Sequence, residues 1–287
     1  IDAGRNNNGS PVLDQRGAGR SLDANGDGLA TPDIGAVEFA FVVNTTLDTI
    51  DANPGDGLAL DASGKTSLRA AIMEANALAG FDVIYLPAGN YTLTRSGADE
   101  DAGLTGDLDI TQALSLVGVG SATTTIHAAR LDRAFDIAAD VVVTMSGVTV
   151  SGGKLTGTAQ GAGLRVSGTL SMSDSVVTDN QGTGNGGGIS VTGNAVGSAG
   201  VLTLDRTTVR DNIVTIPDGL SAYGGGGVYV GTLAIATVNN STFNNNQVDA
   251  EYAKGGGILN YQGQLQINGS TFSGNSAVGV VTGLNKG

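Results

Sequence analysis

The chain has 287 residues, 47 of them glycine, with no cysteine or tryptophan, 4% aromatic residues and a net charge of −13. Without cysteine it forms no disulfide, and its acidity argues against nucleic acid or an anionic membrane surface as a partner. No apolar run approaches the roughly 20 residues that a membrane-spanning helix needs.

The charge is uneven: residues 1–110 carry 17 acidic and 6 basic side chains, the remainder 10 and 8. An acidic front half suits cation binding or solubility in salt. Residues 1–40 are loop-rich and end in DIGAVEFAF, a strand candidate. Within them, DANGDGLATPD places Asp23, Asn25 and Asp27 at the 1, 3, 5 spacing of a calcium loop. Gly28 supplies the turn, and Thr31 and Asp33 could close the shell. Alternating hard oxygen ligands on a tight loop suit Ca²⁺, although position twelve is Ile34 and the bidentate glutamate is missing. Residues 41–80 form an acidic Gly/Asp-rich lead-in followed by a helix, and Asp48, Asp51, Asn53 and Asp56 make a second, sparser oxygen cluster.

The helix is TSLRAAIMEANALAG, residues 66–80. Leu68, Ala71, Ile72, Ala75 and Ala79 share one face, Thr66 or Ser67 is placed to cap the start, and Gly80 ends it. One amphipathic helix ahead of a run of strands is expected to cover the open end of the first strand layer. From Phe81 onward, short β-rich runs follow one another: DVIYLPAGNYTLT, GDLDI, LSLVGVG, AFDIA and VVVTMSGVTVSGG. Asp99, Glu100, Asp101, Asp107 and Asp109 read as an exposed acidic loop. His127, Arg130, Asp132, Arg133 and Asp136 form the densest mixed cluster, the place where catalysis would be sought.

The second half repeats a phrase: DSVVTDN ending at Asn180, RTTVRDN at Asn212, NSTFNNN at Asn246 and GSTFSGN at Asn275. Glycine clusters GAGLR, GGGIS, GGGVY and GGGIL interleave with these phrases. Fixed phrases at uneven spacing mean fixed corners joined by variable loops. The pattern predicts an all-β fold, a right-handed parallel β-helix with one N-terminal capping helix, built of seven or eight coils across residues 81–287. In that stack Asn180, Asn212, Asn246 and Asn275 form a ladder at one corner, where asparagine tolerates the left-handed backbone. Ser175, Thr207, Ser241 and Ser270 form a hydroxyl ladder, and Val177, Val209, Phe243 and Phe272 face the core.

These residues carry a resemblance. TSLRAAIMEANALAG followed by DVIYLPAGNYTLT resembles the start of the bacterial surface β-helix proteins named for a CSLREA motif. The GGGI and STF phrases resemble the repeats of that group and, more loosely, those of chlamydial polymorphic outer-membrane proteins. DQRGAGR with DIGAVEF, residues 14–39, is similar to the segment that closes such domains. Ala59 and Thr66 stand where many relatives have cysteines, and Ala70 replaces the motif's glutamate, so the disulfide that the resemblance implies is absent. The closing motif comes first and the opening motif second. Residues 1–40 are therefore expected to finish a preceding domain or to be donated to a neighbouring chain, and a start at Ile1 without methionine fits a piece of something longer.

The function expected is that of a non-enzymatic extracellular or cell-surface element, structural or adhesive, continued end to end as a stalk, fibre or filament. Its partner would be itself, as tandem domains or a head-to-tail polymer. Surface glycans are a second candidate partner, with Tyr223, Tyr229, Tyr252 and Tyr261 as a platform. The alternative is a polysaccharide-active β-helix enzyme, lyase or hydrolase, which needs paired carboxylates or a basic proton acceptor.

Overall fold

The structure is a computed structural model that describes residues 21–22, 31–32, 40–97, 100, 102–194, 197–216 and 224–279. The described residues form a parallel β-solenoid with a single helix. Strands stack into three main sheets of eight, seven and six strands and a fourth of four. Each coil adds one strand to each main sheet, starting with Asp82–Leu86, Gly89–Thr92 and Leu108–Ile110. Six coils are complete, and Gln264–Asn268, Thr271–Ser273 and Ser276–Gly279 begin a seventh. Seven or eight coils are expected across residues 81–287; among the described residues the period varies, register partners being 27 residues apart at Val142↔Thr169 and 34 at Val201↔Ile235.

Strands of three to six residues follow from the pattern of inward aliphatics. Leu116, Met145, Met172, Leu204 and Val238 lie in register and are almost completely buried. Val150, Val177, Val209 and Phe243 do the same in the next sheet. Phe272 stacks on Phe243 with ring centroids 4.8 Å apart, yet it is 43% exposed because no described coil follows it.

The asparagine ladder is present and buried. Asn180 Nδ2 donates to Asn212 Oδ1 at 2.9 Å, Asn212 Nδ2 to Asn246 Oδ1 at 2.9 Å, and Asn246 Nδ2 to Asn275 Oδ1 at 2.8 Å. The same oxygens accept the backbone N–H of the preceding coil's asparagine, and each of the last three carboxamides also donates to a core-strand carbonyl, as Asn212 does to Val177. The left-handed backbone belongs to the residue before each asparagine, Asp179, Asp211, Asn245 and Gly274, and not to the asparagine itself. That bend turns the following side chain inward, where only a group with both donor and acceptor satisfies the corner.

The second corner repeats the device. Asp174, Arg206, Asn240 and Gly269 take positive φ, and the hydroxyl that follows folds back on the carbonyl two residues earlier in Ser175, Thr207, Ser241 and Ser270. The glycine clusters complete the cross-section. Gly186 and Gly225 have φ of +76° and +75°, and a Cβ on Gly188 or Gly227 would meet a neighbouring carbonyl at 2.6 or 2.5 Å and the ladder carboxamides at about 3.1 Å. Glycine is needed there so that the backbone can rest against the asparagine side chains.

The helix spans Leu68–Ala77 with Ser67 as its cap, Ser67 Oγ accepting from the Ala70 N–H at 3.0 Å. Leu68, Ala71, Ile72 and Ala75 join the same apolar cluster as Ile84, Leu108 and Ile110, so the helix does cover the first coil. Ala59 is also in that cluster and contributes packing beside the helix. Ala79 lies beyond the helix and is exposed.

Asn212→Ala would strand the Asn180 N–H groups and the Val177 carbonyl inside the stack. The expected loss is about 3 kcal/mol in denaturant unfolding, against under about 1 kcal/mol for Asn275→Ala, because Asn275 is itself half-buried and its removal lets water reach the groups it served. Equal losses at the two positions would mean that the ladder does not act through burial.

Candidate functional site

The predicted calcium ligands Asp23, Asn25, Asp27 and Asp33 lie outside the described residues, as does the side chain of Thr31. Only a short antiparallel pairing of Ser21–Leu22 with Thr31–Pro32 is described there. The described chemistry is concentrated instead where the helix, the lead-in and the first two coils meet.

Leu108 and Ile110 point into the core, so Asp109 between them points outward. Register places Asp136 over Asp109 and Arg165 over Asp136. Asp107 precedes the first of these strands, and Asp132 and Arg133 occupy the turn before the second. The expected exposed acidic loop is thus divided. Asp99 and Asp101 lie outside the described residues, and Glu100 accepts from the Ala102 and Thr105 N–H groups. Asp107 and Asp109 are buried at 4% and 5% exposure, beside Asp132 and Asp136. Sequence reading missed this because the loop residues at 102–106 fold over the outer face of the sheet, with the Gly103 N–H donating to Asp109 Oδ2 at 3.2 Å.

The expected mixed cluster is divided as well. Asp132, Arg133 and Asp136 belong to the site, with Arg133 Nη1 2.6 Å from Asp136 and 3.3 Å from Asp107. Arg165 closes the far side at 2.5 Å from Asp136. His127 lies on the neighbouring seven-stranded sheet, its Nδ1 accepting from the Ala129 N–H, and Arg130 pairs with Asp179 at the surface. Three members of the expected tyrosine platform lie among the described residues. Tyr229 is buried and stacks on Tyr261 at 6.4 Å, Tyr252 is exposed, and Tyr223 lies outside the described residues.

Burial pushes the Asp107 carboxyl up to about 8, with repulsion from Asp109 and Asp132 adding and Arg133 opposing. Asp107, Asp109 and Asp136 present carboxylate oxygens within 4.8 Å of one another, a spacing that a cation could bridge. Arg133 already enters that space. The site lies against a second one built by Arg69, the largest fully buried side chain. Its guanidinium bonds Asp48 at 2.6 and 3.4 Å and the carbonyls of Gly103, Gly106 and Asp107 at 2.8–2.9 Å, so all five N–H groups are occupied. Asp48 also accepts from the Thr94 and Arg95 N–H groups. In the second oxygen cluster of the lead-in, Asp48 holds Arg69 of the helix, while Asp51 and Asp56 accept from the Asn53 and Leu58 N–H groups within their own loop.

The class of protein that this geometry defines is a helix-capped β-solenoid with a buried ion network behind its cap. Comparison of the chain with family models, curated proteins and solved structures gives no match.

Asp107 has a folded pKa raised above its ordinary 3.8, so its contribution is complete below about pH 4 and is lost as pH rises through about 8. Asp107→Asn is therefore expected to gain about 1.4 kcal/mol relative to the native chain between pH 7 and pH 9, read from urea unfolding at both values. A difference that stays constant with pH would count against a buried, proton-holding Asp107.

Proposed function

We propose that the protein is a non-enzymatic structural or adhesive β-solenoid of the bacterial cell exterior, one module of a rod continued end to end. The observation that carries this reading is the face formed by residues 264–279. That coil keeps the repeat, with Asn275 in the carboxamide ladder and Phe272 over Phe243. It nevertheless leaves Phe272 and Ile267 each 43% exposed, around a depression of about 510 Å³ that Ile258 and Leu265 also line. Three strand edges there have no further described partner. A coil stacked on this face would cover the apolar groups and pair the edges, as every earlier coil does for the one before it.

The enzyme reading gains little support from the geometry. A polymeric substrate needs an open groove, and the clustered carboxylates of Asp107, Asp109 and Asp136 are buried, with residues 102–106 folded over them. The neighbour in this proposal is another module, contiguous or separate, and surface glycans are the secondary partner.

One chain stacks about 35 Å of coils at ~4.8 Å each. Negative-stain microscopy is expected to find native particles several times longer than that, and Phe272→Lys with Ile267→Lys particles of single-chain length. Equal lengths for the two, or release of unsaturated or reducing sugars from acidic polysaccharides, would overturn the reading.

In a rod of this kind the loop holding Asp23, Asn25, Asp27, Thr31 and Asp33 belongs to the joint between modules, where Ca²⁺ would stiffen it. Added Ca²⁺ is then expected to raise the melting temperature and EGTA to reverse the rise, since a ligand bound only by the folded state must stabilise it. A melting temperature indifferent to EGTA removes the ion from the proposal.

A further inference from the structure

On the helix, one turn beyond Arg69, Glu74 is fully buried. Its carboxylate accepts the backbone N–H groups of Gly55, at 2.5 Å, and Gly57. These two amides belong to the loop DANPGDG, residues 51–57, which begins with a second buried carboxyl. Asp51 is 3% exposed. Its Oδ1 accepts from the Asn53 N–H at 3.0 Å, and its Oδ2 has no hydrogen-bond donor among the described residues.

Among the described residues, neither Asp51 nor Glu74 forms an ion pair with lysine, arginine or histidine. The one guanidinium on this helix, Arg69, has every N–H occupied elsewhere. The other charged group acting on Asp51 is Asp56 on the same loop, a third negative charge. Of the remaining lead-in carboxylates, Asp48 is held by Arg69, and Asp61 by the Ser63 hydroxyl, Thr49 and the Ser63 and Lys65 amides. Two adjacent carboxylates withdrawn from water cannot both ionise without cost. A proton placed between them satisfies the orphaned Asp51 oxygen and removes the repulsion in one step.

We propose that Asp51, while protonated, hydrogen-bonds Glu74 and so forms a pH-operated latch between the 51–57 loop and the capping helix, closed while Asp51 holds its proton and loosened when Asp51 ionises. Burial, with Glu74 and Asp56 beside it, raises the Asp51 carboxyl from 3.8 to about 6. Because the folded value is the higher one, the latch contributes fully below about pH 4 and its contribution is gone once pH has risen well past 6. The latch holds the outer side of the helix whose inner side covers Ile84, Leu108 and Ile110, so it governs how firmly the first coil stays closed.

Hydrogen exchange of the Gly55 and Gly57 amides, corrected for intrinsic rates and referenced to amides of the coil at 201–216, tests this. In the native chain their protection is expected to fall about tenfold from pH 5 to pH 7.5. Asp51→Asn replaces that proton by a permanent N–H donor, and should keep the pH 5 level of protection at pH 7.5. Protection that is flat with pH in the native chain, or that falls equally in Asp51→Asn, overturns the proposal. So does a loss of protection on adding EDTA to the native chain at pH 7.5, because the pair would then hold a metal ion in place of a proton. If Asp51→Asn does not fold, the native pH curve decides by itself.

Discussion

Each coil of this solenoid can bury its corner only by using the next coil as its hydrogen-bond partner. A carboxamide in a dry corner has donors and an acceptor to satisfy, and no residue of its own coil can meet them all. The Asn180 to Asn275 ladder solves this by passing each demand one coil along. The glycine columns, the left-handed residues before each asparagine and the thin aliphatic core all follow from keeping those side chains stacked. The same solution creates an unavoidable difficulty, since a ladder that satisfies every interior coil leaves an unmet demand at each end.

At the start of the stack, well before the first ladder asparagine, the interior is closed by groups that do not repeat. Arg69 is buried with Asp48 and three carbonyls, a placement tolerable only because all five of its N–H groups have acceptors. Its partners come from residues 48 and 103–107, which ties the lead-in, the helix and the loop after the first strands into one unit. The acidic surplus of the first 110 residues is therefore in part a property of the interior: Asp48, Asp51, Asp61, Glu74, Asp82, Asp107 and Asp109 are all withdrawn from solvent there. Buried charge of this kind is specific in a way that aliphatic stacking is not.

How much could be read beforehand follows the same division. The ladders, the parallel strands and the capping role of the helix were legible because repetition states the same demand several times. The buried carboxylates were not, since Asp107 and Asp109 appear in sequence beside Asp99, Glu100 and Asp101 and share their character. A usable signal existed in the coil period: Asp109 and Asp136 are 27 residues apart, Asp136 and Arg165 are 29, and both separations equal one coil. Pairing charges at that distance would have assembled the site from two clusters that looked independent. The left-handed positions were misplaced by one residue for a comparable reason, because the conserved-looking letter of the phrase is the one that faces inward, while its neighbour Asp179 or Asp211 bends the chain.

The two ends consequently differ in kind. The helix end is closed by one arrangement of charged partners, and a coil arriving there would have to displace the helix and strand Arg69 and Glu74. The opposite face offers backbone edges, glycine and aliphatic or aromatic side chains, which any coil with a matching corner can cover. Among the described residues, the face at residues 264–279 is the one that offers a generic neighbour both apolar groups and strand edges. In the rod proposed for this protein, the joint between modules is where specificity has to be added.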